Sequence, residues 1–134
     1  MITKNLRVNQ LSDATYQWYR DYLAAVDAKD IGRFGAFLAD GCVMQMNSDE
    51  AVVGKPAVLD AVRVFWSAFG AVEHEMLAIY GTDDTFASEA IHHYTDADGH
   101  DVTVRAAAFM DRGPDGRLAA FRLYSDVGEM LGAG

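Results

Sequence analysis

The spacing of the hydrophobic residues changes near residue 72, and this change constrains the possible fold more than any other feature of the chain. Before it, apolar side chains recur every three or four positions, as they do on one face of a helix. After it, strand-like stretches follow one another, at residues 73–80, 85–96, 101–111 and 118–126. The turn sequences between them, at residues 81–84, 97–100 and 112–116, are short enough to predict hairpins. Helices followed by a run of strands predict an α+β fold with an antiparallel sheet.

The first half of the chain predicts three helices, at residues 12–29, 30–38 and 55–69. Ser12 or Asp13 is expected to cap the first helix and Asp30 the second. The third helix begins at Lys55 and Pro56, because a proline suits the first helical turn, where its missing N–H has no partner. Gly70 ends this helix. Between the second and third helices, residues 42–46 are predicted to form a short apolar strand and residues 47–54 a polar loop.

Successive residues of a strand face opposite sides of the sheet. In the second strand-like stretch, Glu89 and His93 therefore share one face, and His92 lies on the other. We assign the face with His93 to the helices and to any pocket beneath them. Arg105, on the next strand, is assigned to the same side.

The charge balance excludes several classes of partner. The chain has 20 Asp and Glu residues against 11 Lys and Arg residues, a net charge of −9, and no basic run that could follow a phosphate backbone. Nucleic acid and membrane surfaces are therefore not expected partners. The longest uncharged apolar stretch, residues 64–72, is much shorter than the roughly 20 residues of a membrane-spanning helix.

The length of 134 residues fits one domain. Residues 1–11 are interpreted as an N-terminal arm and residues 12–134 as a single domain. The first residues lack the charged and apolar regions of a secretory signal, so a cytoplasmic location is expected. Cys42 is the only cysteine and lies in an apolar run, which is typical of a core residue.

Four segments have distinctive sequences: YLAAVDAKD at residues 22–30, FLADG at 37–41, GKPAV at 54–58 and FRLYSD at 121–126. They resemble the nuclear transport factor 2-like superfamily, and particularly its SnoaL-like and ketosteroid-isomerase-like members. The resemblance implies a cone-shaped fold, with three N-terminal helices packed on a curved antiparallel sheet, an apolar pocket between them, and dimers through the outer face of the sheet. The superfamily includes isomerases, cyclases, epoxide hydrolases, dehydratases and non-catalytic binding proteins, so the fold does not determine the activity.

The ketosteroid isomerases of this superfamily use an aspartate base with an oxyanion hole made of a tyrosine and a protonated carboxylic acid. The resemblance places the tyrosine at Tyr22, the base at Met46 and the acid at Ala107. Because methionine and alanine cannot transfer protons, we do not expect isomerisation by that mechanism.

Limonene-type epoxide hydrolases use an aspartate–arginine–aspartate set that orients a water molecule. The resemblance places Ile91 at the arginine, His93 at the first aspartate and Leu123 at the second aspartate. Met44 and Met46 lie where the water would be held. This reaction is not expected either.

SnoaL-like cyclases use an acid/base carboxylate and a histidine in an apolar pocket, and histidine transfers protons near neutral pH. His93 is the best candidate for this role, with Glu89 on the same strand face. Arg105 could hold an enolate or carboxylate. Tyr22 and Asp126, which closes the last matching segment, complete the candidate catalytic set.

The pocket is expected to bind its ligand through further, mostly apolar side chains. These are Tyr19, Met44, Met46, Val62, Trp66, Glu89, Ala107, Phe109 and Leu123. Two other interpretations stay open, in which His92 and His93 each have a structural partner on their own side of the sheet and Arg105 pairs with Glu89. Adjacent histidines on a strand point apart and cannot bind one ion together, so no metal site and no cofactor are expected.

Two functions fit the sequence. The first is a cofactor-free isomerase, cyclase or lyase that acts on a small hydrophobic or aromatic metabolite, and the alternative is a non-catalytic ligand-binding or dimerisation module. A homodimer is expected because one face of the third strand-like stretch would leave a large apolar patch in water. The residues of this patch are Val102, Val104, Ala106, Ala108 and Met110.

Overall fold

Three helices and seven strands make up the part of the chain that this structure, a computed structural model, describes, namely residues 1–9 and 11–126. The helices are α1 (Asp13–Asp27), α2 (Ile31–Ala36) and α3 (Lys55–Trp66). The strands are β1 (Arg7–Asn9), β2 (Leu38–Met46), β3 (Val52–Val53), β4 (Phe69–Gly81), β5 (Thr85–Asp96), β6 (Asp101–Arg112) and β7 (Leu118–Ser125). The α+β prediction is confirmed.

The strands form one open sheet in the order β1-β4-β5-β6-β7-β2-β3. The hairpin connections predicted from the turn sequences make β4, β5, β6 and β7 antiparallel neighbours. The sheet is not antiparallel throughout, because β1 pairs with β4 and β2 pairs with β7 in parallel. Shifts of register within β4 bend the strand and curve the sheet.

The helix starts follow the predicted capping residues. The Ser12 hydroxyl accepts the backbone N–H of Thr15 at 3.2 Å, and the Asp30 carboxylate accepts that of Arg33 at 3.1 Å. The end of α3 differs from the prediction, because the helix stops at Trp66 and Phe69 already belongs to β4. Phe69 is drawn into the sheet by packing against Tyr94, with ring centroids 4.8 Å apart.

The predicted orientation of β5 and β6 is wrong. On β5 the buried face carries His92 and Tyr94, whereas Glu89 is exposed. On β6 the buried face carries the five residues that were assigned to a dimer patch, of which Val102 and Ala108 are partly buried. Both faces of these strands are rich in apolar residues, so alternation alone did not identify the face that meets the helices.

The helices cover this inner face of the sheet and form the core with it. The most deeply buried side chains of the described residues are Leu38, Cys42, Val58, Met76, Ile79, Met110 and Leu118. Each large apolar side chain of this kind contributes roughly 1.5–3 kcal/mol when fully buried. The interpretation of Cys42 as a core residue is confirmed, since its exposed fraction is 0%.

Two contacts fix α1 and the N-terminal arm relative to the sheet. The Arg112 guanidinium donates to the Thr15 hydroxyl at 2.9 Å and stacks over the Trp18 ring at 4.4 Å. The arm adds a short parallel bridge to β4, where the Ile2 N–H donates to the carbonyl of His74 at 2.9 Å. None of the described helices is both long and apolar enough to cross a membrane.

Candidate functional site

A cavity of about 100 Å³ lies between the inner face of the sheet and the three helices. Most of its wall is apolar, with aromatic side chains from the helices and methionines from the strands. The structure places these predicted pocket residues in the wall: Tyr19, Tyr22, Met44, Met46, Val62, Trp66 and Leu123. The helices and the inner face of the sheet therefore enclose a mostly apolar cavity.

A histidine paired with a carboxylate lies in the cavity wall. Asp27 is the last residue of α1, and its Oδ1 accepts a hydrogen bond from Nδ1 of His74, which lies on β4. The second carboxylate oxygen accepts the backbone N–H of His74 at 3.4 Å. This arrangement holds the ring proton on Nδ1 and leaves Nε2 as an acceptor. Nε2 of His74 has no hydrogen-bond partner among residues 1–9 and 11–126.

The position of Asp27 is unusual for a helix. The C-terminal end of a helix carries a partial negative charge, so a carboxylate in its last turn is unfavourable. Asp27 lies in this turn, and its side chain is only 15% exposed. The hydrogen bond with His74 compensates for this cost. A side chain that is unfavourable for its own helix is often found at functional sites.

His92 is the cross-strand neighbour of His74, and their ring centroids are 4.2 Å apart. Burial, together with the nearby rings of His74 and His93, lowers the pKa of His92 to about 3, so the ring is neutral at physiological pH. Nδ1 of His92 lies 3.1 Å from the hydroxyl of Tyr94. Burial, and to a smaller extent Asp27, raise the pKa of Tyr94, which therefore keeps its proton. Because this hydroxyl can donate to Nδ1, we assign the ring proton of His92 to Nε2.

Hydroxyl groups lie further along the cavity. Tyr19 Oη and Ser88 Oγ are 2.7 Å apart and hydrogen-bonded. Burial raises the pKa of Tyr19 to about 12, although the bond to Ser88 opposes this, and burial also raises the pKa of Tyr22 well above its usual value. Both tyrosines are therefore hydrogen-bond donors. Within the described part of the chain, the hydroxyl of Tyr22 has no protein partner.

The structure does not place His93 in the cavity, and its predicted orientation is wrong. Its ring lies on the outer face of the sheet, where Nε2 donates to Oε1 of Glu75 at 2.8 Å, and its side chain is 39% exposed. The neighbouring β5 residues Ser88 and His92 point inward instead. Each of the two rings thus has a hydrogen-bond partner on its own side of the sheet, Tyr94 for His92 and Glu75 for His93, as one of the open interpretations expects.

The remaining predicted site residues also lie outside the cavity. Glu89 and Arg105 are exposed on the outer face, and no ion pair joins these two described side chains. Ala107 and Phe109 share that face. Asp126 follows β7 and is exposed. These five residues lie outside the cavity because the strand faces were assigned the wrong way round, except for Asp126, which lies beyond the strand.

Sequence analysis missed Asp27, His74, Ser88, His92 and Tyr94 as site residues. Two signals in the sequence point to them. The face of β5 with His92 carries no charged residue between residues 86 and 94, whereas the opposite face carries Glu89. A carboxylate at the predicted end of the first helix, at Asp27, is the second signal.

A separate group of ligand-type side chains lies in the turn between β5 and β6. Ligand atoms of Asp96, Asp98 and His100 lie within 4.8 Å of one another. The Asp96 carboxylate accepts the backbone N–H groups of Asp98 and His100, each at 2.9 Å. The bond from His100 is the largest cause of the lowered pKa of Asp96. These bonds close the turn, which accounts for the cluster without an ion.

Comparisons with known proteins agree with this fold. The model of the SnoaL-like domain family matches residues 19–121. Among curated proteins, no sequence matches the chain. A proposed SnoaL-like polyketide cyclase from Shewanella denitrificans OS-217 is 11% identical, with a TM-score of 0.78 over 92% of this chain and 100% of that one.

Two further solved structures have the same architecture. An NTF2-like protein of unknown function from Burkholderia pseudomallei K96243 is 15% identical, with a TM-score of 0.78 over 91% of this chain and 98% of that one. An epoxide hydrolase of M. tuberculosis described as LEH-like is 18% identical, with a TM-score of 0.71 over 89% and 87% of the two chains. At these identities the likeness extends to the fold alone.

Proposed function

Because this chain belongs to the SnoaL-like domain family, as its sequence segments predicted, we propose that it binds a small hydrophobic or aromatic molecule in the cavity and moves a proton on it. One observation carries this proposal, namely that His74, whose ring is hydrogen-bonded to Asp27, lies in the wall of a mostly apolar cavity. A neutral imidazole nitrogen in such a position can act as a general base. We therefore assign the acid/base role, which the sequence predicted for His93, to His74.

The proposed reaction begins at Nε2 of His74, which accepts a proton from a carbon atom next to a carbonyl group of the ligand. The electron pair of the broken C–H bond moves into the carbonyl group and gives an enolate. Asp27 holds the ring in position and compensates for the positive charge that the ring acquires. The Nε2–H of His92 and the hydroxyl of Tyr22 are the donors available to the enolate oxygen.

Three outcomes are consistent with this first step. Return of the proton from His74 to a different carbon atom gives an isomer. Attack of the enolate carbon on a second carbonyl group closes a ring, and the new alkoxide takes the proton from His74. Loss of a leaving group from the adjacent carbon gives an unsaturated product, with the proton leaving on that group. All three use only the proton donors and acceptors of this chain, which fits an isomerase, cyclase or lyase without a cofactor.

The experiment that tests this proposal measures proton exchange on acetophenone, a single flat ring with exchangeable C–H protons next to its carbonyl group. The wild-type protein is expected to accelerate exchange of these protons for deuterium in D₂O, followed by NMR. The variant His74→Gln should lose this acceleration, since a general base contributes roughly 10²–10⁴-fold. His93→Gln, on the outer face, is the matched control and should exchange like the wild type. Equal acceleration by His74→Gln would contradict the proposal.

The alternative is a binding module without catalysis. It is supported by the hydrogen bonds that Tyr19, Ser88 and Tyr94 already make inside the cavity, because these groups can bind a ligand but are poor proton acceptors at neutral pH. A binding module would bind acetophenone, detected by changes in the NMR shifts of cavity residues, without accelerating its exchange.

We also propose that the protein forms a homodimer through the outer face of the sheet, in place of the patch predicted on β6. On this face Phe109 and Tyr124 are 39% and 44% exposed, with ring centroids 5.8 Å apart. Exposed aromatic side chains of this kind are common in interfaces. Analytical ultracentrifugation at micromolar concentration tests the proposal, and Phe109→Glu should shift the protein towards monomer. A wild-type monomer would contradict it.

A further inference from the structure

We propose that the Tyr19–Ser88 pair forms a second polar site in the cavity, which binds a hydroxyl or carbonyl group at the end of the ligand that lies away from His74. This inference rests on the proposed function and specifies its substrate class. The ligand is then a flat, largely apolar molecule of about one aromatic ring, with one polar group at each end.

The hydrogen-bonding capacity of the pair leaves one proton without a partner. Tyr19 and Ser88 are 2% and 5% exposed, and their oxygens are 2.7 Å apart. Each hydroxyl carries one proton, but only one of the two protons can lie between the oxygens. The other has no protein acceptor within the described part of the chain. A buried O–H without an acceptor is unfavourable, and a ligand oxygen in the cavity would satisfy it.

The two polar sites lie at opposite ends of the cavity. Ser88 and His92 are on the same face of β5, four residues apart, which corresponds to roughly 13 Å between their Cα atoms. Tyr19 and Asp27 are eight residues apart on α1, which corresponds to roughly 12 Å along the helix axis. The spacing of the two sites along α1 is thus nearly the same as their spacing along β5. At one end the helix contacts the sheet through Tyr19 and Ser88, and at the other through Asp27 and the histidines.

Small side chains lie between these two sites. Ala90 and Ala106 are a directly paired cross-strand couple in the cavity wall, and Ala108 is paired with Ser88. Their methyl groups leave room for a flat ring on the sheet. Tyr22 is only 6% exposed, and its hydroxyl, also without a protein partner among the described residues, borders the same space. An unpartnered hydroxyl beside a small-residue surface indicates a place for a ligand with polar substituents.

The volume limits the size of this ligand. The cavity measures about 100 Å³, whereas an engineered cavity of about 150 Å³ in another protein holds benzene. One ring is therefore close to what the cavity takes without rearrangement. Flexible methionine side chains in the wall allow a modest enlargement. They are Met44, Met46, Met76 and Met110.

The experiment compares three probes that differ only in the presence and position of one hydroxyl group on the ring. 4-Hydroxyacetophenone has its hydroxyl opposite the ketone, 2-hydroxyacetophenone has it beside the ketone, and acetophenone has none. Binding is measured by NMR titration at pH 6.5. The wild type should bind the 4-hydroxy compound about tenfold more tightly than acetophenone, as expected for one added hydrogen bond to a buried group. The 2-hydroxy isomer should show no such gain.

The variants Tyr19→Phe and Ser88→Ala remove one hydroxyl group each. Phenylalanine keeps the aromatic ring of Tyr19, and alanine keeps the Cβ atom of Ser88. Each should reduce the preference for the 4-hydroxy compound over acetophenone to about twofold or less. Tyr16→Phe is the matched control, because Tyr16 lies one turn earlier on α1 and does not border the cavity. It should keep the tenfold preference. Circular dichroism confirms that each variant is folded.

Three results would overturn the inference, and the first two separate it from the proposed function. If acetophenone binds but the 4-hydroxy compound has no advantage in the wild type, the second polar site is wrong while the ligand cavity stands. If the advantage survives in both Tyr19→Phe and Ser88→Ala, the hydroxyl binds elsewhere and the inference is also wrong. If none of the three probes binds, the proposed function fails together with the inference.

Discussion

The buried ring of His92 leads to a quantitative prediction about stability in acid. Burial, with the nearby rings of His74 and His93, lowers its pKa to about 3 in the folded protein, against about 6.5 for an unperturbed histidine. Between these two values the unfolded chain binds a proton at this position and the folded protein does not. Stability therefore rises with pH across this window, and lowering the pH from 6.5 towards 3 favours unfolding.

The size of the effect follows from the two pKa values. Between pH 6 and pH 4, the proton linkage of His92 alone should lower the free energy of unfolding by about 2.5 kcal/mol. This is a large part of the roughly 5–15 kcal/mol that stabilises a typical domain. The ring is only 5% exposed, so solvent screening reduces the effect little.

Urea unfolding at pH 6, 5 and 4 tests this prediction, with the wild type compared to His92→Gln. Glutamine keeps an amide group near the Tyr94 hydroxyl but cannot take up a proton. As the pH is lowered, the free energy of unfolding should fall less steeply for His92→Gln than for the wild type. The two slopes should differ by about 1.2 kcal/mol per pH unit. Exposed carboxylates with a lowered pKa, such as Asp83 and Asp96, also destabilise the protein in acid, but they are common to both proteins and cancel in the difference.

The variant His93→Gln provides the control, because this ring lies on the outer face of the sheet. It should keep most of the pH dependence of the wild type, since burial is the largest cause of the lowered pKa of His92 and the ring of His93 is the smallest. If the wild type and His92→Gln lost stability in parallel between pH 6 and pH 4, protonation of His92 would not be what destabilises the protein in acid.

Two further predictions concern the site and the core. Asp27→Asn should slow the exchange of acetophenone protons roughly 100-fold, because the ring of His74 loses its orienting carboxylate. The affinity for acetophenone should change little. If NMR showed that affinity and exchange rate fall to a similar extent, the role of Asp27 would be purely structural. Met76→Ala should lower the free energy of unfolding in urea by about 2–5 kcal/mol, since Met76 is 1% exposed, and a loss below about 0.5 kcal/mol would contradict its place in the core.

Much of the fold could be predicted from local sequence. The turn sequences between the last four strands predict hairpins, because Gly, Pro, Asn and Asp fix tight turns through short-range geometry. The capping residues Ser12 and Asp30 mark helix starts for the same reason. Two short edge strands were not predicted. β1 and β3 have three and two residues, and both exist only because a longer strand pairs with them.

The face of β5 and β6 that meets the helices could not be predicted in the same way. Both faces of these strands carry apolar residues, and the choice depends on which face the helices cover, which is a long-range contact. His92 and His93 are adjacent, so an error of one residue exchanges a buried ring for a partly exposed one. Asp27 and His74 are 47 residues apart, and only the packing of α1 on β4 brings them together.

An NMR measurement on the histidine side chains tests most directly whether the cavity is the functional site. Long-range ¹H–¹⁵N spectra resolve the ring nitrogens of His74, His92, His93 and His100, and acetophenone can be added stepwise. If the cavity between Asp27 and the sheet is the functional site, the Nε2 signals of His74 and His92 should shift in proportion to the bound fraction, while those of His93 and His100 stay fixed. Shifts confined to His93 or His100, or a bound ligand that leaves His74 and His92 unchanged, would contradict the account.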